Sequence, residues 1–468
     1  ALAKGASWCI VETNQIDKFE KALWFNNDRI IGVDNLKAHT GVIASAYYSH
    51  PTQKMQLIAV TGTNGKTSSA WWIASCLQQL QLNTTQKVRC AVVGTLGIGE
   101  PGHIVANGLT TPDPVLLQKS LAALHLDGVT HCAIEASSIG LVENRLAGCD
   151  IAVAMFTNLT QDHLDYHGNL ENYWQAKKSL FAWPNLQNAI INLDDTYGYA
   201  LANELQTKHS PELWTIACNQ IARIQAQNIV FYADSVSFEV IERDPHHPET
   251  VINQASLHCN IIGNYNVSNL LGVIAAIRSL GWPLADIIKA CENISPVPGR
   301  MEVITQANCP TVAIDYAHTP DALEKALLAL RPSVQNNNGK LWCVFGCGGN
   351  RDSSKRPLMA KIAEQWADTV VLTSDNPRFE DPNQIIADAQ AGFVGKDSSM
   401  ISTIVNRTNA IDWAIENAKA NDVILIAGKG HETYQEINGV RYDFDDMKIV
   451  FKCSEFISQL LFIVCKSG

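Results

Sequence analysis

Charge is scarce in this chain: 17% of its 468 residues are Asp, Glu, Lys or Arg, against 46% that are hydrophobic. That balance excludes a disordered chain and fits one that buries a substantial core. Dense Lys/Arg runs are absent and the formal net charge is -11, so an electrostatic nucleic-acid partner is not expected. No apolar stretch reaches the roughly 20 residues that span a bilayer, so no membrane insertion is expected. Residues 456–464 are apolar but too few, and are expected to form a docking helix or strand. Cysteine is present, 13 in all, but without CxxC spacing or a secretory context; buried thiols in a reducing compartment are expected. The opening residues carry no signal-peptide pattern, and a cytoplasmic location follows as the expectation. Internal repeats and low-complexity tracts are missing too.

What is present is an alternation of short apolar runs with helical patterns, the mark of α/β architecture with parallel sheets. Strands are expected at 55–60, 131–136, 151–156 and 188–192, and helices at 69–80 and 171–181. Alternating polarity at 235–242 predicts an antiparallel strand at a sheet edge. The turn Pro296-Val297-Pro298-Gly299 marks a boundary, beyond which strands are expected at 311–317, 341–345, 369–373 and 423–427 with a helix at 322–330 between them. The expected fold is therefore α/β: a central P-loop ATPase-type parallel-sheet domain (51–295) and a C-terminal Rossmann-like domain (296–468). The first 50 residues are too few for a full domain and are expected to be part of one.

The strand at 55–60 runs into Thr61-Gly62-Thr63-Asn64-Gly65-Lys66-Thr67 and then a helix. Glycines let backbone N–H groups approach phosphate oxygens, and the helix N-terminus adds its positive dipole end. Lys66 suits the β- and γ-phosphates and Thr67 a magnesium ion. Val60 stands where the general Walker spacing has a glycine, so this is the shorter GTNGKT form.

Other candidates are ambiguous as bare residues. Glu135 closes a strand, where ligands collect in open α/β sheets, but such a carboxylate can equally be solvated. The run Thr157-Asn158-Leu159-Thr160-Gln161-Asp162-His163-Leu164-Asp165-Tyr166-His167-Gly168 offers two histidines and two carboxylates for metal or phosphate work, or a polar loop with capping aspartates. Lys177, within a helical pattern, reads as a surface lysine. Asn264 and Asn266, in Gly263-Asn264-Tyr265-Asn266, are placed to cap an apolar helix at 270–277. Arg300 and Asp315 read as salt-bridge partners. In Asp375-Asn376-Pro377-Arg378, Asn-Pro signals a turn, while the Arg378 guanidinium is a rigid fork suited to a carboxylate.

GTNGKT, Glu135-Ala136-Ser137-Ser138, TNLTQDHLDYHG and Ala176-Lys177, in this order, resemble the central domain of the Mur ligases. The resemblance runs from about residue 33 to residue 446. It implies ATP and Mg2+ as cofactors, with Gly62, Thr63, Asn64, Gly65, Lys66, Thr67, Asn264, Asn266, Arg300 and Asp315 on the nucleotide. It implies metal sites built from Thr67, Glu135, His163 and Lys177, the lysine as a carbamate, with Lys66, Lys177, Glu135 and His163 catalytic. Thr110, Thr111, Ser137 and Arg145 match contacts to a UDP-linked muramoyl dipeptide, and residues 1–50 the end of the domain that holds its nucleotide. Arg351, Asp375, Asn376, Pro377, Arg378, Gly428 and Glu432 match contacts to the incoming amino acid. Ligases adding meso-diaminopimelate carry DNPR where lysine-adding relatives lack the arginine. The expectation is a monomeric ligase that joins meso-diaminopimelate to D-glutamate through an acyl phosphate. A lysine-adding ligase, a folate-type glutamate ligase and a degenerate nucleotide-binding scaffold are the alternatives. Three departures stand out: Ile139 replaces a family histidine, Asn350 a family aspartate, and the tail after Met447 does not match.

Overall fold

The computed structural model describes residues 4–15, 29–83, 88–207, 211–232, 234–336, 338–395 and 400–453. The apolar stretch at 456–464 lies outside them.

Among these residues an 11-stranded sheet runs Val251–Cys259, Val236–Arg243, Ile224–Phe231, Glu212–Ala217, Asn188–Asn192, Val153–Phe156, Gln56–Thr61, His131–Glu135, Cys90–Gly94, Gly97–Glu100, His103–Val105. Its middle is parallel and both ends are antiparallel. The reason is legible in Gln56–Thr61, which is buried from Leu57 onward. Ile58 and Val60 pack on one side with Ile73 and Leu77 of the helix Lys66–Asn83, while Leu57 and Ala59 pack on the other with Leu117 and Leu121 of Pro114–Leu126. A strand covered on both faces must be apolar throughout, which favours parallel pairing through helical crossovers. Asp113 caps Pro114–Leu126, its side chain accepting from Val115 and Leu116 ahead of a proline at the first helical position.

A second sheet, of six strands, runs Glu302–Ile304, Thr311–Asp315, Val423–Ala427, Leu341–Phe345, Thr369–Leu372, Ile401–Thr403, parallel except at Glu302–Ile304. Its cores lie on both faces, and Ile262 and Tyr265 of the first module pack into one of them. Before the first sheet stand the parallel pair Cys9–Glu12 and Ile30–Val33 and the helix Leu36–Tyr47. No helix among the described residues is long and apolar enough to cross a membrane.

Two expectations are corrected. The alternating segment at 235–242 is antiparallel, as Val236–Arg243, but it is not an edge: Val251–Cys259 lies outside it. Its alternation comes from one covered face and one partly open face. The helix expected from residue 270 starts at Asn264, with Gly263 as its cap residue, so Asn264 and Asn266 lie in its first turn and do not cap it.

Candidate active site

Three strand ends, at Thr61, Glu135 and Phe156, meet side by side, and the loop Gly62–Gly65 rises between them into the helix that starts at Lys66. Gly62 has φ 147° and Gly65 φ 85°. A side chain at either is blocked: a Cβ would stand 1.9 Å from Thr157 Oγ1 and 2.3 Å from Asn269 Oδ1 respectively. The loop is tied to the segment after Phe156. Thr63 N donates to Asn158 O (2.8 Å), Asn64 N to Asn158 Oδ1 (3.0 Å), and Thr157 Oγ1 to Asn64 O (2.6 Å). Lys66 Nζ donates to the carbonyls of Gly62 (2.9 Å) and Thr63 (2.8 Å). Burial lowers its pKa, Glu135 and Asp162 pull it back up, and Arg300 pushes it down. A cation fixed at the loop's mouth beside a helix N-terminus is suited to polyphosphate.

Glu135 is 1% exposed. Its Oε2 accepts from Thr67 Oγ1 (3.0 Å) and Thr95 Oγ1 (3.2 Å), and its Oε1 from Thr95 N (2.8 Å). A buried carboxylate bonded to the loop threonine is an all-oxygen pair, the donor chemistry magnesium prefers. Lys177 is not a surface residue: it is 1% exposed, and its Nζ donates to Gly62 O at 2.7 Å and sits 4.4 Å from the Tyr173 ring centre. Burial, then repulsion from Lys66, holds its pKa well below the ordinary lysine value. His163 lies at the loop's outer side in the left-handed region (φ 52°), with Nε2 3.5 Å from Asp162 Oδ2. No three His, Cys, Asp or Glu side chains among the described residues are gathered to hold a metal ion, so the fit to magnesium rests on Thr67 and Glu135.

The acceptor-side candidates form a chain of contacts around Glu135, Thr110 through Thr95 to its carboxylate and the others to its backbone carbonyl. Thr110 Oγ1 is 3.0 Å from Thr95 Oγ1, Thr111 Oγ1 donates to Glu135 O (2.7 Å) and is 2.8 Å from Ser137 Oγ, and Arg145 donates to Thr111 O (2.9 Å). At Ile139, next in line, Ser138 Oγ instead meets His167 Nε2 at 3.0 Å.

Residues of the second module reach the loop. Arg300 donates to Thr67 Oγ1 (3.2 Å) while lying over the Tyr316 ring at 4.3 Å, and Asn64 Nδ2 donates to Asp321 Oδ2 (2.9 Å). Asp315 Oδ2 accepts from Met301 N (2.7 Å); burial raises its pKa and Arg300 opposes the rise. Asn266 Nδ2 donates to Ile262 O (2.8 Å), and Asn269 Nδ2 to Asn266 Oδ1 (3.2 Å), which sets the Asn269 carboxamide against Gly65. Asn264 is exposed.

At the end of Thr369–Leu372 a second constellation forms. Arg378 (φ 52°) donates from its guanidinium to Gly349 O (2.7 Å), while its backbone is clamped between Glu436 O (3.0 Å) and Asn438 N (2.6 Å). Arg351 stands exposed beside it, both flanking Gly348. Asn350, also left-handed (φ 51°), accepts from Phe379 N at 3.0 Å and so braces the DNPR turn. Pro377 O lies against Gly349, and Asp375 Oδ2 against Gly428. Asn376 Nδ2 donates to Glu432 Oε2 (2.8 Å). Sequence reasoning did not single out Thr95, Asn269, Asp321 or Lys429. Asn269, three residues after Asn266, and Lys429, next to Gly428, stand close in the chain to residues that were singled out; Thr95 and Asp321 act through tertiary contacts alone.

Fold and site together define an ATP-type α/β enzyme whose phosphate loop faces a Rossmann-like module. The model of the Mur ligase middle domain matches residues 60–277, and that of the Mur ligase glutamate ligase domain residues 299–430. The chain is 51% identical over 448 residues to a UDP-N-acetylmuramoyl-L-alanyl-D-glutamate–2,6-diaminopimelate ligase of Acidovorax sp., covering 96% of this chain and 86% of that one. It is 42% identical to the ligase of the same name from Pseudomonas aeruginosa (96% and 87% covered). A solved structure of such a ligase superposes with a TM-score of 0.67 at 37% identity, covering 98% of this chain and 88% of that one. The chain belongs to the Mur ligase family, whose members are ATP-dependent, ADP-forming ligases.

Proposed function

We propose that this chain joins meso-diaminopimelate to the D-glutamate of UDP-N-acetylmuramoyl-L-Ala-D-Glu in peptidoglycan precursor synthesis. The observation that carries the reading is Arg378, held by its backbone on the DNPR turn two residues beyond Asn376, which donates to Glu432; the three are taken to line the amino-acid pocket. Meso-diaminopimelate is lysine with one further carboxylate, and a guanidinium fork grips a carboxylate bidentately. The relatives' shared name supports the same substrate.

In the reaction, an oxygen of the D-glutamate γ-carboxylate attacks the γ-phosphorus of ATP, the bond to ADP breaks, and an acyl phosphate forms. The diaminopimelate amine, having lost a proton, attacks the acyl carbon; phosphate leaves and an amide remains. Lys66 offsets charge on the transferred phosphoryl group, with the Gly62–Gly65 backbone around it. Arg300, beside Thr67, adds a second cation, and Asp315, Asn264 and Asn266 lie on the nucleotide's side. Thr110, Thr111, Ser137 and Arg145 hold the dipeptide; Arg351, Asp375, Pro377, Arg378, Gly428 and Glu432 hold the amino acid. Thr67 and Glu135, with His163 and a carbamate on Lys177, would hold magnesium, which when bound would neutralise phosphate charge. Lys177 suits carbamylation because burial favours its neutral amine, the form that adds to CO2 with release of a proton. The three-part division at residues 50 and 295 and action as a cytoplasmic monomer belong to the same reading.

The test is phosphate release with ATP, magnesium and the nucleotide dipeptide, comparing meso-diaminopimelate, lysine and no amino acid. Diaminopimelate-dependent release is expected. Equal release with lysine would overturn the specificity, and ATP binding without any turnover would indicate a scaffold.

A further inference from the structure

Among the described residues, one buried lysine has no part in the reaction above. Lys429 is 0% exposed. It follows the end of the strand Val423–Ala427, and lies between Gly428 (φ 113°) and Gly430 (φ 50°), whose backbone turns bring the side chain inward. Its Nζ donates to Asn376 Oδ1 (3.1 Å) and Glu432 Oε2 (3.0 Å), with the Tyr434 and Phe444 ring centres 5.6 and 5.7 Å away. An ammonium in such surroundings persists only with charged or strongly polar partners, because desolvating it costs several kcal/mol. Its partners, Asn376 and Glu432, are both among the residues matched above to contacts with the incoming amino acid.

The contacts divide the labour between the two oxygens of Glu432. Oε2 is taken by Asn376 Nδ2 at 2.8 Å and by Lys429 Nζ. Among the described residues Oε1 is met by one hydrogen-bond donor, the long 3.5 Å approach of Tyr316 Oη. Asn376 in turn is saturated, its Oδ1 accepting from Glu436 N (2.9 Å) as well as from Lys429. The neighbouring buried cation, Arg407, is engaged by both oxygens of Asp446 at 2.8 and 2.7 Å, so Lys429 is the cation bonded to Glu432.

We infer that Lys429 is a positioning residue: its ammonium locks Oε2 of Glu432 and the Asn376 carboxamide so that Oε1 is presented to the ammonium group of the incoming amino acid. The inference rests on the pocket assignment of the preceding subsection. Lysine, with three donors on one point charge, serves two acceptors at once, and a fixed carboxylate binds a cation without first losing rotamer freedom.

The test is steady-state kinetics of the full chain with Lys429→Met, Lys429→Arg, Glu432→Gln and the Lys429→Met/Glu432→Gln double variant, alongside thermal unfolding. Lys429→Met is expected to raise KM for diaminopimelate at least tenfold while KM for ATP and for the nucleotide dipeptide stay within twofold. Lys429→Arg should recover most of that loss, and the double variant should be no worse than the poorer single one, since both act through one carboxylate. If Glu432→Gln raises KM for diaminopimelate and Lys429→Met does not, Lys429 only packs and the inference fails with the pocket reading intact. If neither variant moves that KM, the pocket reading itself fails. A parallel rise of all three KM values with a lowered Tm would also overturn it, as the mark of general loosening. Should Lys429→Met not fold, Lys429→Gln takes its place: a selective rise in KM for diaminopimelate is again expected, and an unchanged value contradicts the inference.

Discussion

At Gly65 the backbone is left-handed, and Asn269 occupies the space a side chain would need. Gly65→Ala therefore combines strain of about 1–3 kcal/mol with a clash at the phosphate loop. ATP affinity is expected to fall at least tenfold in calorimetric titration; affinity within twofold of the parent would contradict the loop's role. Arg378→Ala separates recognition from energy supply in a different way. It leaves the phosphate loop untouched, so KM for diaminopimelate should rise tenfold or more with KM for ATP unchanged, and an equal rise in both would remove Arg378 from the pocket. The sequence displayed Gly65 and Arg378 because each sits in a contiguous motif. Lys177 was opaque as a bare residue: only the fold turns a lysine inside a helix toward the Gly62 carbonyl. Asn350 and Ile139, the two in-motif departures, differ in consequence. Asn350 tolerates the left-handed backbone and still accepts the Phe379 amide hydrogen, as an aspartate would, whereas Ile139 has no ring nitrogen to offer.

Strands that are covered on both faces gave the clearest sequence signal. The runs at 341–345 and 423–427 are continuous apolar segments, and 188–192 is an apolar centre flanked by two asparagines; each became a fully buried strand with those bounds. Helix starts were harder to read. Asn266 and Asn269 are buried polar residues satisfied by each other and by Ile262 O, so apolar periodicity misses the first turn of Asn264–Ser279. Charge pairs between elements were invisible for the same reason. Arg407, 1% exposed, holds Asp446 bidentately and also donates to Ala427 O (3.0 Å), tying the helices Arg407–Asn417 and Asp446–Lys452 to the strand that leads to Gly428. Arg407→Met leaves Asp446 buried without its partner, and a loss of about 3–5 kcal/mol in urea unfolding is expected. A loss below about 1 kcal/mol would show that the pair is not what fastens these elements.

Among the described residues burial lowers the pKa of five histidines, and in three of them the fall is large. Burial takes His131 down to about 4; burial and then Lys355 take His318 to about 4; burial, Arg300 and Lys429 take His431 to about 3, all from an ordinary 6.5. The unfolded chain thus binds more protons than the folded one between pH 6.5 and these values, so stability is complete above pH 6.5 and declines as pH falls. Each site contributes on the order of 3 kcal/mol across its window. Urea midpoints should hold from pH 7.5 to about 6.5 and fall from there to pH 5, and equal midpoints at the two ends would contradict the burial of these rings. One of the three, His318, lies where the second module meets the first, near Asp162, so the same decline should weaken catalysis at acid pH. The central claim, that phosphate loop and DNPR pocket serve one amide-forming reaction, is tested most directly by product stoichiometry. Equal concentrations of meso-diaminopimelate and lysine are offered together with ATP and the nucleotide dipeptide, and products are read by mass spectrometry while ADP is counted. One diaminopimelate tripeptide per ADP is the predicted result; a lysine tripeptide in comparable amount, or ADP without tripeptide, would contradict it.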